Sequence, residues 1–291
     1  MNVVDLKNII IEEIELDSVS YYGKEKYNSN NHWLNDVKPK DYNKILEQCN
    51  TSNWIDFFHP SYIVINIFQK DIKWMKEATQ TGLITRKFSS LHEEEKDDLI
   101  KKYKFVEKYF VGQKYFIRTE NVSLKRGIHG TGPYKDFNSI IESLCTCKQG
   151  HTPIEKDTTR IKLFLLPWLD FEYMNEYRVF VYRNKITAIS QQHLYEKNSI
   201  FNGLDKDELN KKINDYVKII TTYFEEKIKK NITYMDSYTY DFAILPGNNP
   251  YLIEINCFGK EYAAGSALFH WIIDEDKLYN QEDKIYFRYT I

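Results

Sequence analysis

The sequence predicts an α+β fold. Three observations lead there. Apolar, β-branched runs of strand length recur along the chain, and a long amphipathic helical stripe stands among them. The two kinds of segment also mix without the strict alternation of a doubly wound parallel sheet. The first sixty residues read as short helices and loops, docked by Trp33, Trp54, Phe57 and Phe58. Tyr62–Phe68 is a strand by its β-branched content, and Asp71–Thr79 a short helix. Gly82–Phe88 and Tyr115–Thr119 are strand candidates separated by a charged helical stretch from Leu91 to Lys102. A Gly- and Lys-containing loop runs from Asn121 to Pro133, and a helix follows near Phe137–Leu144. Arg160–Leu166, Glu176–Tyr182 and Lys185–Gln191 are strands, the last two flanking the tight polar turn Arg183-Asn184. Asp207–Lys230 is the longest helical pattern, with Leu209, Ile213, Tyr216, Val217, Ile220 and Phe224 on one stripe. Tyr238–Leu245 and Tyr251–Cys257 form a final strand pair.

Composition narrows the function classes. A formal net charge of −2 over 291 residues argues against a surface coated in basic charge for non-specific nucleic-acid binding, while leaving room for a local basic groove. No apolar run is long enough for a membrane span, so no membrane partner is expected. The aromatic fraction of 15%, with abundant Lys, Asn and Ile, reads as base-composition bias rather than function. Cys49, Cys145, Cys147 and Cys257 form neither a disulfide framework nor a two-pair zinc pattern, and Cys145-Thr-Cys147 has no second pair. Met1–Asp17 carries Glu12, Glu13 and Glu15 and lacks the basic start of a secretory signal. The expectation is a monomeric, cytoplasmic protein in a reducing setting.

Chemistry concentrates on the last strand pair. Pro246-Gly247-Asn248-Asn249-Pro250 is a strong turn sequence. A hairpin symmetric about it places Leu245 opposite Pro250 and Asp241 opposite Glu254. Asn256 then shares a face with Glu254, because strand side chains repeat with period two. Phe242, Ile244, Ile253 and Ile255 would cover one face, with Ala243, Leu245 and Leu252 beside the acids on the other. Opposed carboxylates repel by a few tenths to about 1 kcal/mol on an exposed sheet, and more when buried. A hard divalent cation offsets that, and Mg²⁺ accepts one or two carboxylates plus phosphate oxygens. Asp241, Glu254 and Asn256 are therefore the candidate metal ligands, against the alternative of a solvent-facing edge that carries acids for solubility.

Several motifs, in order from about Tyr62 to Trp271, resemble the cell division cycle protein 123 family. The strongest is Trp168-Leu-Asp-Phe-Glu-Tyr-Met-Asn-Glu176-Tyr-Arg178-Val-Phe180-Val, followed by Ile186-Thr-Ala-Ile-Ser190-Gln191. These are similar to that family's tryptophan, its Glu-Phe-Arg-x-Phe-Val strand and its Ala-Ile-Ser-Gln strand. Asp241-Phe and Leu252-Ile-Glu254-Ile-Asn256-Cys-Phe258-Gly259 resemble its Asp-Val and Leu-Ile-Asp-Phe-Asn-Pro-Phe-Gly signatures. Ala267-Leu268-Phe269-x-Trp271 matches its closing motif, and Phe116-Ile-Arg118 with Ser123-Leu-Lys125 resembles its upstream strand and loop. The chain departs from the family at Glu254 (Asp in the family), Cys257 (Pro), Arg118 (Lys) and Lys260 (an acid).

The resemblance implies an ATP-grasp fold, in which two α+β lobes hold ATP in a cleft with magnesium on the last strands. The expected division is an N-terminal region 1–60 packed on the core, an N-terminal lobe 61–166 and a C-terminal lobe 167–291. It also implies an assembly chaperone for eukaryotic translation initiation factor two, docking its gamma subunit. For ATP it assigns Leu165, Leu166, Pro167 and Trp168 to an adenine-binding hinge; periodicity alone reads them equally well as an ordinary buried strand. Glu176 and Arg178, on the Glu-Phe-Arg-like strand, are further residues the resemblance assigns to the nucleotide. Arg178 alternates away from Val179 and Val181, either toward phosphates or into a structural salt bridge. Arg118 and Lys125 are phosphate candidates or solvated charges. Gly127–Gly132 is a flap over phosphate or a plain turn, and not a P-loop. The histidines show no metal spacing. An ATP-dependent ligase, joining RNA ends with Tyr195, Lys197 and Lys101–Lys104 in a groove, is the alternative function.

Overall fold

The computed structural model of the chain describes residues 8–291, so residues 1–7 of the acidic N-terminal stretch lie outside the described part. The strands are β1 (Ile9–Ile14), β2 (Ile63–Phe68), β3 (Tyr115–Arg118), β4 (Arg160–Pro167), β5 (Glu176–Tyr182), β6 (Lys185–Gln191), β7 (Tyr238–Leu245), β8 (Asn249–Cys257) and β9 (Ile285–Thr290). The longer helices are α1 (Gln69–Thr85), α2 (Glu93–Lys102), α3 (Phe137–Thr146) and α4 (Lys206–Tyr223). The α+β class expected from the sequence holds. Contacts divide the chain into His59–Asp170 and a second unit that joins Phe171–Ile291 to the N-terminal residues up to Phe58.

The unit His59–Asp170 has a three-stranded antiparallel sheet in the order β2-β4-β3. Alternation along these strands buries Ile65, Ile67, Ile117, Leu163 and Leu165 in one core with Ile72, Met75, Ile140, Ile141 and Leu144 from the helices. The sequence reading places a strand at Gly82–Phe88, and the structure corrects it. The helix that begins at Gln69 continues to Thr85 and stops at Arg86, whose left-handed backbone (φ 59°) donates its N–H to Gly82 O. β-branched Ile84 and Thr85 mimic a strand locally, but burial of Met75, Ala78, Thr79 and Gly82 extends the helical face. Gly82 is required there because a Cβ would lie 2.1 Å from the Cys145 carbonyl oxygen of α3.

The other unit is built on a six-stranded mixed sheet, β1-β9-β6-β5-β7-β8. β9 pairs in parallel with both β1 and β6, and the remaining neighbours are antiparallel. β1 and β9 are absent from the sequence reading, which makes the first sixty residues helix and loop. The alternation Ile285, Phe287, Tyr289 is a strand signal, with all three side chains buried. For Ile9-Ile-Ile-Glu-Glu-Ile no period-two pattern exists, and the strand is fixed by its partner at the opposite end of the chain. α4 covers one face of the sheet with Ile213, Tyr216, Val217 and Ile220, each worth about 1.5–3 kcal/mol of burial. Its start is a capping box: Asp205 accepts from the Asp207 and Glu208 N–H groups, and Glu208 accepts from the Asp205 N–H.

Candidate functional site

The face of this sheet opposite α4 carries a row of polar residues. Cross-strand partners run Glu12–Arg288–Ser190–Arg178–Asp241–Glu254, one residue from each of the six strands. Two bulges bring the row into line. Between β5 and β6 the register shifts at Phe180 and Val181, which sets Arg178 opposite Ser190. Between β7 and β8, Leu245 faces Asn249 rather than Pro250, so the symmetric hairpin expected from the turn is off by one at its tip. The shift at Asp241 and Phe242 inserts Ile253 as the extra residue and restores the pairing of Asp241 with Glu254. The same shift pairs Leu252 with Phe242, away from the acids, contrary to the sequence reading.

Arg178 governs the local electrostatics. Its Nε donates to Asp241 Oδ1 (2.8 Å) and its Nη2 to Asp241 Oδ2 (2.7 Å), a bidentate pair. Nη1 donates to the Gly265 carbonyl (2.6 Å), and Nη2 lies 3.9 Å from Glu254 Oε1. The Asp241 side chain is only 1% exposed. Burial pushes its carboxyl above the usual carboxylate range, Arg178 opposes this, and the neighbouring Glu254 and Glu176 add to it. Burial likewise disfavours the Arg178 charge, but Asp241 outweighs it and the guanidinium is raised. Gln192 Nε2 also donates to Asp241 Oδ2 (3.1 Å), and Asn256 Nδ2 donates to Glu254 Oε1 (3.1 Å). Glu176 stands beside the row, its carboxylate 3.3 Å from His193 Nε2.

The row holds down an irregular segment that covers it. Besides the Arg178 bond to Gly265, the Ser190 hydroxyl accepts from the Leu268 N–H (2.9 Å). Arg288 donates to Leu268 O and to both oxygens of Asp274, and its Nε donates to Glu12. Phe180, Phe258, Phe269, Trp271 and Leu278 fill the space between with a buried aromatic cluster.

The remaining candidates lie in the unit His59–Asp170. Arg118, 2% exposed, faces Phe164 across β3 and β4, on the sheet surface turned away from the helices. Leu166 shares that surface and faces Phe116. Leu165 points the other way into the core, which withdraws its side chain from the adenine contact expected of it. Pro167 is exposed, and Trp168 is half-buried, its indole N–H donating to Asp170 (2.7 Å). Lys125 is exposed on the turn Leu124–Arg126. Gly127–Gly132 is fastened to α3: the Ile128 N–H donates to the Thr146 hydroxyl, and the His129 ring lies 2.7 Å from Glu142.

Comparison with known proteins decides the family. The family model described as D123 matches residues 135–290, more than half of the chain. The chain belongs to the D123 family. A translation initiation factor eIF2 assembly protein of Candida albicans is 32% identical over 123 residues; the match covers 42% of this chain and spans only 32% of that relative's length. The structure of Cdc123 from Schizosaccharomyces pombe superposes with a TM-score of 0.58 at 17% identity, covering 85% of this chain and 97% of that one. A C-terminally truncated form of the same protein gives 0.54 at 18% identity over the same shares. The D123 chain thus shares its α+β fold with Cdc123.

The donors present in this D123 protein are hard oxygens. Among the described residues no group of three or more His, Cys, Asp and Glu is arranged to hold a metal alone. Two opposed carboxylates with an adjacent carboxamide are donor types that Mg²⁺ takes together with phosphate oxygens, while both Asp241 oxygens here accept from Arg178 and Gln192. Sequence reasoning missed Gln192, Gly265 and Phe164. The Phe164 signal was available, since it alternates with Leu166. Gln192 and Gly265 reach the row only through a bulged hairpin and an irregular segment, for which no periodic signal exists.

Proposed function

We propose that this D123-family protein binds ATP with magnesium and acts as an assembly chaperone for translation initiation factor eIF2, engaging its gamma subunit in the cytoplasm. The observation that carries the nucleotide reading is the opposition of Asp241 and Glu254, two carboxylates on neighbouring strands with Arg178 alongside. In this reading Asp241, Glu254 and Asn256 hold magnesium, which neutralises phosphate charge when bound. Arg178 and Glu176 line the same site. Arg118 and Lys125 supply positive charge for phosphates, and Leu166, Pro167 and Trp168 the apolar surface for adenine, with Leu165 contributing backbone only. The chaperone reading is supported by family membership and by the name of the Candida albicans relative.

ATP binding measured with and without magnesium tests the first part. Asp241→Ala and Asn256→Ala are expected to weaken binding mainly when the metal is present; an unchanged metal dependence removes the site. A pull-down with the eIF2 gamma subunit, run beside an RNA-end-joining assay, tests the second. Factor binding without joining supports the chaperone, whereas ATP-dependent joining without factor binding overturns it in favour of a ligase.

A further inference from the structure

The irregular segment over the polar row is itself strapped from outside by residues 28–32. The Asn28 N–H donates to Ala267 O (2.8 Å) and Phe269 O (3.0 Å), the Ser266 N–H to Ser29 O (3.2 Å), and the His32 N–H to Lys260 O (2.7 Å). Ser29 is 2% exposed. Its hydroxyl accepts from the Trp271 N–H (2.8 Å), 242 positions along the chain, and its own N–H donates to the Ser266 hydroxyl (2.9 Å). Gly265 lies between strap and row. Its carbonyl accepts from Arg178 Nη1, and a Cβ added there would stand 2.3 Å from Asn28 Oδ1 and 3.6 Å from Arg178 Nη1.

We propose that the strap Asn28–Ser29 positions Arg178 through Gly265, and so sets how well the Asp241–Glu254 pair accepts magnesium-bound ATP. The proposal rests on the nucleotide reading above. Its physical basis is the shape of the guanidinium, a rigid planar fork whose donors move together. Two donors hold Asp241 and the third is fixed by Gly265 O, so a shift of that carbonyl turns the whole fork and reorients the carboxylate it grips. Asn28 and Ser29 act through the segment they hold, as positioning residues. Outer partners of this kind change metal affinity by roughly 10–100-fold when removed.

The test measures ATP affinity of the full chain by calorimetry, in excess magnesium and again in EDTA, and reads the ratio. Gly265→Ala drives the new methyl against Asn28 and is expected to lower the magnesium-dependent affinity about ten-fold while leaving the EDTA value unchanged. Adding Asn28→Gly removes the obstructing oxygen and suits the left-handed backbone there (φ 49°), so the double variant is expected to recover the ratio. Ser29→Ala is a milder second probe that is expected to move the ratio the same way. A merely structural role would lower the melting temperature and leave the ratio alone. An unchanged ratio in folded Gly265→Ala, or in Ser29→Ala where Gly265→Ala does not fold, overturns the proposal. A parent chain that binds no ATP in either condition overturns the nucleotide reading and this inference together, whereas binding with an indifferent Gly265→Ala overturns the inference alone.

Discussion

Asp241 tolerates burial because Arg178 meets both its oxygens, and removing one partner of such a pair strands the other's charge. Arg178→Gln is therefore expected to lower stability by about 3 kcal/mol in denaturant unfolding. Arg178→Lys should recover only part of that, since an ammonium cannot reproduce the bidentate fork. A glutamine variant as stable as the parent would mean that the pair contributes nothing. At the other end of the row, Glu12 is half-buried beside Lys277 and Arg288. Burial acts to raise its carboxyl, but the hydrogen bonds from those two cations outweigh it and hold the pKa below its ordinary 4.5. A depressed carboxylate contributes stability above its unfolded pKa and loses it as pH falls through the folded value. Glu12→Gln is thus expected to cost about 1 kcal/mol near neutral pH, with parent and variant converging in acid as pH falls through the depressed folded value. A difference independent of pH would show that packing, not charge, holds β1. The identities of Asp241, Glu254, Asn256 and Arg178 were legible because acids and an arginine stand out in apolar strands. Their mutual contacts were not, since alternation says which face a side chain takes and not what it touches.

Elements were legible where a periodic pattern coincided with local propensity, as in β5, β6, β7 and α4. They were lost where neighbours decided. The C-terminal part of α1 contains β-branched residues that read as a strand, and only its packing on α3 keeps it helical. Gly82→Ala tests that contact directly. The obstructing atom is a backbone carbonyl that cannot rotate away, so a loss of about 3 kcal/mol or more is expected in chemical denaturation. An alanine variant within about 1 kcal/mol of the parent would show that the two helices separate easily. Hairpin register shows the same division. The turn residues fixed the position of the β7–β8 reversal, while the bulge at Ile253, which no local signal marks, decided that Asp241 and Glu254 meet.

On the scale of the whole molecule, the sheet that bears the row is completed on one side by β1 and β9, which are remote in sequence. β9 sits between β1 and β6 and buries Phe287 and Tyr289. Truncation before Ile285 is expected to abolish cooperative unfolding of the unit it belongs to, seen as loss of dispersed amide resonances. A truncated chain with native dispersion would show that β9 is dispensable. Such long-range parallel pairing is also why β1 escaped the sequence reading, since Glu12 and Glu13 break the alternation after its β-branched Ile9–Ile11 run and its partner β9 is remote in sequence. By itself the sequence determined the α+β class, the family motifs and the residue types of the candidate site, because these depend on residue identity and short-range periodicity. Tertiary structure alone decided the alignment of six polar residues across the sheet, the grip of Arg178 on Asp241 and the strap over Gly265. Those depend on bulges and on contacts between residues far apart in the chain, which no local pattern encodes.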